Sequence, residues 1–349
     1  MKDINSGNIR TLEDMIDSSN NICVVTHMKP DGDAMGSAAA LYQFLKKAGR
    51  QPKIVLNDSY PPYLSFLVSE DMKKDIVIYG DNPIQASRTI TDSELIICLD
   101  FNAFHRTDRL EEALSSATGP KVLIDHHLNP SREQFELSFS ETEVSSASEL
   151  LYHILMGTST IDGDARRLGK ECAESLMTGM TTDTNNFANS VFPSTLHMAS
   201  ALLEAGVDRD AILNNLYNQY SENRLRLLGH MMKDLLHITD DGVAYIVLDR
   251  KTQEEYMTGE GDTEGFVNMP LSIAGVRMSI LAKEDGERIR ISIRSKRGTS
   301  ANMCAGRFFN GGGHENAAGG RLNIPGDVKD IKSVAEYIER TTHIFLNDE

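Results

Sequence analysis

Five clusters of acidic, histidine or glycine residues recur along this 349-residue chain, at spacings that suit a carboxylate-rich site for two divalent metals. The first, His27-x-x-x-Asp31-x-Asp33, directly follows the apolar residues 22–25. Asp100 ends the run 95–99, and Asp125-His126-His127 ends the run 122–124. Asp183 closes the segment 176–182, and Gly311-Gly312-Gly313-His314, far downstream, has the composition of a phosphate grip. Three of the five begin where a short apolar run stops, which in an open α/β sheet is the edge where ligands bind. Taken singly, each has an ordinary reading. Asp-Gly-Asp is common turn chemistry, and an aspartate after a strand is usually a loop or cap residue. Two adjacent histidines after a buried strand have little structural purpose, so the ordered set carries the argument. Within the first cluster, extended spacing would send Asp31 and Asp33 apart, so that neighbouring carboxylates face different metals.

The elements that must position these residues alternate between strand and helix. Residues 22–25, 53–56, 76–78, 95–99 and 122–124 are short apolar runs of the kind buried parallel strands show. Residues 34–47 read as a helix stopped by Gly49, and 145–156 and 165–177 as amphipathic helices. This pattern predicts a doubly wound parallel sheet in an α/β catalytic domain. From 195 to 236 the spacing is purely helical and suits a connector. Strands at 243–248, 276–281 and 289–293, a helix at 301–309 and a closing segment at 328–345 predict a smaller α/β domain with a mixed sheet. The expected division is therefore 1–194, 195–236 and 237–349.

Composition narrows the function. A net charge of −16 argues against a general nucleic-acid coat, although residues 277–307 carry eight Lys or Arg against three acidic residues. That segment is either a solvated strand face or a patch for one short anion. The four cysteines, Cys23, Cys98, Cys172 and Cys304, are scattered without a C-x-x-C pair and read as buried thiols. The N-terminus is polar, with no apolar stretch to suggest a signal peptide, and no run approaches a membrane span. A cytoplasmic location is expected. The fifteen methionines show no cofactor spacing and read as core filler.

The ordered set resembles the DHH phosphoesterase superfamily, which includes RecJ nucleases, family II inorganic pyrophosphatases and the nanoRNase/pAp-phosphatase group. His27, Asp31 and Asp33 match its first motif, Asp100 the second, Asp125-His126-His127 the third and Asp183 the fourth. Gly311, Gly312, Gly313 and His314, with Ala317-Ala318-Gly319, match the glycine-rich motif of the DHH-associated C-terminal domain. The size is that of the compact nanoRNase type, and the chain is also similar to exopolyphosphatase-related proteins. The resemblance implies that His27, Asp31 and Asp100 hold one metal and that Asp33, Asp100, His126 and Asp183 hold the other, with Asp100 bridging. Mixed carboxylate and imidazole donors suit two Mn²⁺, with Mg²⁺ as second choice. Such a pair, about 3.5–4 Å apart, would activate a hydroxide for in-line displacement. Asp125 would orient a histidine rather than bind metal. His127 would meet the scissile phosphate or protonate the leaving oxygen, and Arg106 would hold the phosphate under attack.

In the second domain, the three glycines would let backbone N–H groups form an anion-binding nest, with His314 adding a donor. Arg294 and Ser295 resemble the family's substrate-contacting strand. Arg297 reads equally as a phosphate contact or a solvated charge. His105 matches no ligand position, and His153, His197, His230, His237 and His343 read as surface or packing residues. The expectation is a metal-dependent phosphoesterase acting on short oligoribonucleotides, linear dinucleotides such as pApA, or adenosine 3′,5′-bisphosphate, with the C-terminal domain holding the far end across an interdomain cleft. An inorganic polyphosphate or pyrophosphate hydrolase is the alternative enzyme, and a nucleotide-binding regulator the non-enzyme alternative. No membrane or long nucleic acid is expected as partner, and a homodimer stays open.

Overall fold

Strands β1 (Asn21–Thr26), β2 (Gln51–Leu56), β3 (Ile76–Ile78), β4 (Leu95–Leu99), β5 (Lys121–Asp125) and β6 (Leu137–Ser140) pair in parallel in the order β3-β2-β1-β4-β5-β6. The computed structural model describes residues 4–259 and 261–347. Helices α1 (Ser6–Asp17), α2 (Gly32–Lys47), α3 (Glu70–Asp75), α4 (Pro83–Thr91), α5 (Glu111–Ser116), α6 (Ala147–Met156), α7 (Lys170–Asp183), α8 (Pro193–Glu204) and α9 (Arg209–Tyr217) complete this unit, Met1–Gln219. Alternation along β1 shows why the sheet is covered on both faces. Ile22 and Val24 enter a core with residues of α2, α6 and α7, whereas Cys23 and Val25 enter one with residues of α4 and α5. The doubly wound sheet expected from the sequence is present. Its strand order reverses between β1 and β4, which opens a crevice at their carboxyl ends.

The second unit, Tyr220–Glu349, contains α10 (Glu222–His230), β7 (Leu236–Ile238), β8 (Val243–Leu248), α11 (Arg250–Glu255), β9 (Met278–Asp285), β10 (Arg288–Ser295), α12 (Ala301–Phe308), β11 (Gly312–His314), β12 (Ala317–Asn323) and α13 (Val334–Asn347). Its sheet order is β11-β12-β10-β9-β8-β7, and it is mixed because β8 and β9 run parallel while the other pairs are antiparallel. Strand β10 alternates strictly, with Ile289, Ile291 and Ile293 buried against α12 and α13. The helical run 195–236 falls across the boundary between the two units. Among the described residues, no helix is long and apolar enough to cross a membrane.

One helix differs from its expected bounds. Residues 165–177 are not one helix, because Gly169 takes φ 88° and separates a 3-10 turn at Ala165–Arg167 from α7. Helix α7 then continues to Asp183, so the fourth motif lies at a helix end.

Candidate metal centre

The loop leaving β1 is held from outside. Met28 N–H donates to Arg106 O at 2.9 Å, and Lys29, in a left-handed conformation at φ 53°, donates to Asp58 Oδ2 at 2.9 Å. Asp31 caps α2, accepting through Oδ1 from the N–H groups of Asp33 and Ala34. Asp33 therefore lies in the first helical turn. A helix start, not the extended alternation read from the sequence, is what sends the two carboxylates in different directions. His27 Nδ1 lies 2.8 Å from Met28 O. A carbonyl only accepts, so the proton belongs on Nδ1, and Nε2 faces Asp100 Oδ2 at 3.4 Å and Asp31 Oδ1 at 3.8 Å.

Asp100 leaves β4 at φ 63°, a left-handed conformation that aspartate tolerates better than most residues. Its Oδ1 lies 3.4 Å from His126 Nε2, which also lies 3.5 Å from Asp183 Oδ2 and 4.0 Å from Asp33 Oδ2. Two sets of donor atoms result, His27–Asp31–Asp100 and Asp33–His126–Asp183, each gathered within 4.8 Å. Asp100 turns one oxygen toward each histidine. A third grouping joins Asp100, His126 and His127. However, His127 Nδ1 is engaged by Asp125 Oδ1 at 2.7 Å, and its N–H donates to Asp125 Oδ2 at 3.1 Å. Fully buried Asp125 thus orients His127.

The charge balance fits metal ligation. Asp33 and Asp100 are almost fully buried, and burial together with the neighbouring Asp100 pushes the Asp33 carboxyl up to about 7. Burial, Asp33 and Asp100 push Asp183 well above the usual range. His126 is raised to about 10 because Asp100, Asp183 and Asp33 outweigh its burial. Burial works against the Asp100 anion as well, yet the three imidazoles around it hold its carboxyl far below normal. Carboxylates crowded like this need cations to be ionised together. Asp100 Oδ1 is also buried without a hydrogen-bond partner, as expected of an atom kept for another ligand. The residues fit a pair of divalent ions.

Several supports carry no motif signal. Both Asp33 oxygens accept backbone N–H groups from the start of α6, Ala147 at 2.6 Å and Ser148 at 2.9 Å. Glu149, with no exposed surface, fixes that helix start through Ser145 N–H, Ser145 Oγ and Thr195 Oγ1. Helices α2 and α7 cross at Gly36 and Gly179, where a Cβ on Gly179 would stand 1.9 Å from Ser148 Oγ and 2.8 Å from Asp33 Oδ1. That close approach brings Asp33 and Asp183 to one point. The Ser-Ala-Ser-Glu segment and the glycines were legible as composition, but nothing in their spacing tied them to the metals.

In the second unit, the glycine-rich segment is strand β11 rather than a nest. Gly311 N–H donates to Ala305 O and Gly313 N–H to Asn302 Oδ1, so neither can cradle an anion. Gly311 and Gly313 are required by packing, since a Cβ on Gly311 would sit against Gly319 O and one on Gly313 against Ala317 O. Ser295 is buried, donating to Thr299 O and accepting from Asn316 Nδ2, which also reaches Lys296 O and Thr299 O. Ser295 and Asn316 thereby shape the turn that presents exposed Arg297. Arg294 on β10 and exposed His314 on β11 both stand opposite Ala317 of β12. Directly opposed residues share a face, so the cation and the imidazole lie in one row, two strand spacings or about 10 Å apart.

A model of the DHH family, N-terminal domain, matches residues 21–180, and a model of the DHHA1 domain matches residues 228–340. The chain is 34% identical to an exopolyphosphatase-related protein from Bacteroides fragilis, covering 99% of this chain and 98% of that one at a TM-score of 0.91. The chain belongs to the DHH family. This DHH protein is also 27% identical over 303 residues to the bifunctional oligoribonuclease and PAP phosphatase NrnA of Bacillus subtilis (strain 168), covering 85% of this chain and 87% of that protein. Its fold is shared with an exonuclease RecJ bound to manganese, at a TM-score of 0.51 and 14% identity, over 97% of this chain and 93% of that one. The resemblance implied by the ordered motifs is thus confirmed, and hydrolysis is the activity class of its relatives.

Proposed function

We propose that this DHH protein hydrolyses short oligoribonucleotides or small phosphorylated nucleotides, such as pApA and adenosine 3′,5′-bisphosphate, using two Mn²⁺, with Mg²⁺ able to substitute. The observation that carries this reading is Asp100, whose two oxygens each face a different set of histidine and carboxylate donors. His27, Asp31 and Asp100 would hold one ion, and Asp33, Asp100, His126 and Asp183 the other. When bound, the ions would supply activation of the attacking water and neutralisation of the phosphoryl oxygens. Asp125 keeps His127 aligned to meet the scissile phosphate or protonate the leaving oxygen. Arg106, whose backbone braces the first motif, would hold the phosphate. Arg294, Arg297 and His314 would bind another anionic part of the substrate, with Ser295 and the glycines Gly311, Gly312 and Gly313 shaping that surface.

Similarity to NrnA over most of both chains supports the nucleotide substrate class. Polyphosphate hydrolysis is a second reading, favoured by likeness to the exopolyphosphatase-related protein. One assay separates them: the full chain with Mn²⁺ on labelled RNA dimers to pentamers, 20-mers, pApA, adenosine 3′,5′-bisphosphate and polyphosphate. We expect kcat/KM to peak for dimers to pentamers and to fall at least ~10-fold for 20-mers, equivalent to ~1.4 kcal/mol. Cleavage of polyphosphate without turnover of any nucleotide would replace the first reading with the second.

A further inference from the structure

The first motif is held by a bracket of residues that no motif marks. Lys29 sits between the ligands His27 and Asp31 and takes φ 53°, a left-handed conformation that a residue with a Cβ disfavours. Its N–H donates to Asp58 Oδ2 at 2.9 Å, just past the end of β2. On its other side, Met28 N–H donates to Arg106 O at 2.9 Å, in the 3-10 segment Phe104–Leu110 that follows β4. The two holders are tied to each other by Arg109 of that segment. Its Nη2 donates to Asp58 Oδ1 at 3.1 Å and to Asn57 O at 2.9 Å, and its Nε donates to Asn57 Oδ1 at 3.2 Å. Met28, Arg106, Arg109, Asp58 and Lys29 thus close a ring.

The ring fixes a position more than it supplies charge. Asn57 is buried, and its Nδ2 donates to Asp58 Oδ2 at 2.8 Å, so that oxygen accepts from two donors while the other faces Arg109. Arg109 also lies over the Tyr79 ring, 5.0 Å from its centroid, and its Nε stands 3.8 Å from Asp108 Oδ2. The Arg109 side chain is 43% exposed and that of Asp58 30%, so their ion pair alone contributes little. What the guanidinium supplies is a planar fork, which meets a carboxylate, a backbone carbonyl and an amide oxygen of two successive residues. The other ligand set is held elsewhere, Asp33 by Ala147 and Ser148 of α6, and Asp183 by its place on α7. Each half of the metal centre has its own supports, and the halves meet at Asp100.

We propose that Asp58 and Arg109 are positioning residues for one half of the metal centre. They hold Lys29 in its left-handed turn and so set the affinity of the ion at His27 and Asp31, without affecting the ion at Asp33 and Asp183. Because Lys29 stands between His27 and Asp31, release of its turn moves both ligands at once. This rests on the two-metal reading above and adds to it that the two sites can be loosened one at a time.

The test reads Mn²⁺ binding by calorimetry to the full chain, stripped of metal by chelation and dialysis, with Asp58→Ala placed on two backgrounds. In Asp183→Ala the His27–Asp31–Asp100 set stays whole. There Asp58→Ala should weaken the remaining Mn²⁺ event about 10- to 100-fold, the usual cost of losing an outer support. In His27→Ala it should change the remaining event no more than about twofold, as for independent sites. Arg109→Ala should give a smaller loss, and Asp58→Asn, which keeps an oxygen for Lys29 but not the charge for Arg109, should match it. Glycine takes a positive φ without strain, so adding Lys29→Gly to Asp58→Ala should restore most of the lost affinity. A merely structural role for Asp58 would not respond to that relief. Thermal melts check that each variant folds, and exposed Arg109→Ala carries the same comparison if Asp58→Ala does not. Equal weakening on both backgrounds, no weakening in Asp183→Ala, or a loss that Lys29→Gly leaves untouched would overturn the bracket while wild type still binds two Mn²⁺. Wild type that binds no Mn²⁺ would overturn the two-metal reading with it.

Discussion

At the carboxyl edge of the first sheet, Asp33, Asp100, Asp125 and Asp183 crowd around three imidazoles, in a place where burial makes every unpaired charge costly. On β9, β10 and β12 of the second sheet, Lys283, Arg290 and Arg321 stand side by side in a strongly acidic chain. The two regions are built differently. The first lacks positive charge and is rigidly braced, with Asp33 held by α6, Asp31 by its own helix and His127 by Asp125. The second displays exposed Arg290 and Arg321 on neighbouring strands. Divalent ions would balance the carboxylates of the first. Buried ligands need exact aim, which takes supports from many segments, whereas surface phosphate contacts need only a repeated spacing.

The comparison can be broken most decisively at the first region. Chelation with EDTA should abolish turnover and Mn²⁺ should restore it best. Asp100→Asn should lower kcat/KM on the order of 10³-fold, because several kcal/mol of transition-state stabilisation goes with the metals. Calorimetry with Mn²⁺ should show both binding events weakened; full activity after exhaustive chelation would end the two-metal reading.

Supports that never touch a ligand sharpen the contrast. Glu149→Ala frees the start of α6 and should weaken Mn²⁺ binding about 10- to 100-fold, the usual cost of losing an outer support. An unchanged Mn²⁺ isotherm in folded protein would show that the α6 start keeps its position without Glu149. Gly311→Ala is its counterpart in the second unit. Its Cβ would press on Gly319 O, costing about 1–3 kcal/mol in a denaturant melt. Mn²⁺ affinity should stay at the wild-type value, and a loss there would show that the two regions are not independent.

The smallest effect belongs to the exposed surface. His314→Ala should raise KM for nucleotides about tenfold, the scale of one charge-assisted hydrogen bond, with Mn²⁺ binding intact. Loss of Mn²⁺ binding in this variant would place His314 with the metals and erase the division between the regions.

Much of the first region was legible in the sequence because its signal is residue type at strand ends. Apolar runs ending in Asp100 and in Asp125-His126-His127 mark parallel strands whose carboxyl edges collect ligands. Helix α7 was less legible, since its boundary depends on the positive φ of Gly169, which composition does not reveal. In the second region the glycines read as a ligand loop, yet Gly311 and Gly313 are required by close backbone packing against β12. Ser295, read as a substrate contact, is bonded within its own turn.

The sequence by itself determined the fold class, the family and the order of the aspartates and histidines, because hydrophobic periodicity and side-chain chemistry are local properties. Only the tertiary structure decided which oxygen of Asp100 faces which histidine and which helix start holds Asp33. It alone placed Arg290 opposite Arg321. These depend on strand register and on the crossing of α2 with α7, where residues far apart in the chain meet at distances that no local pattern encodes.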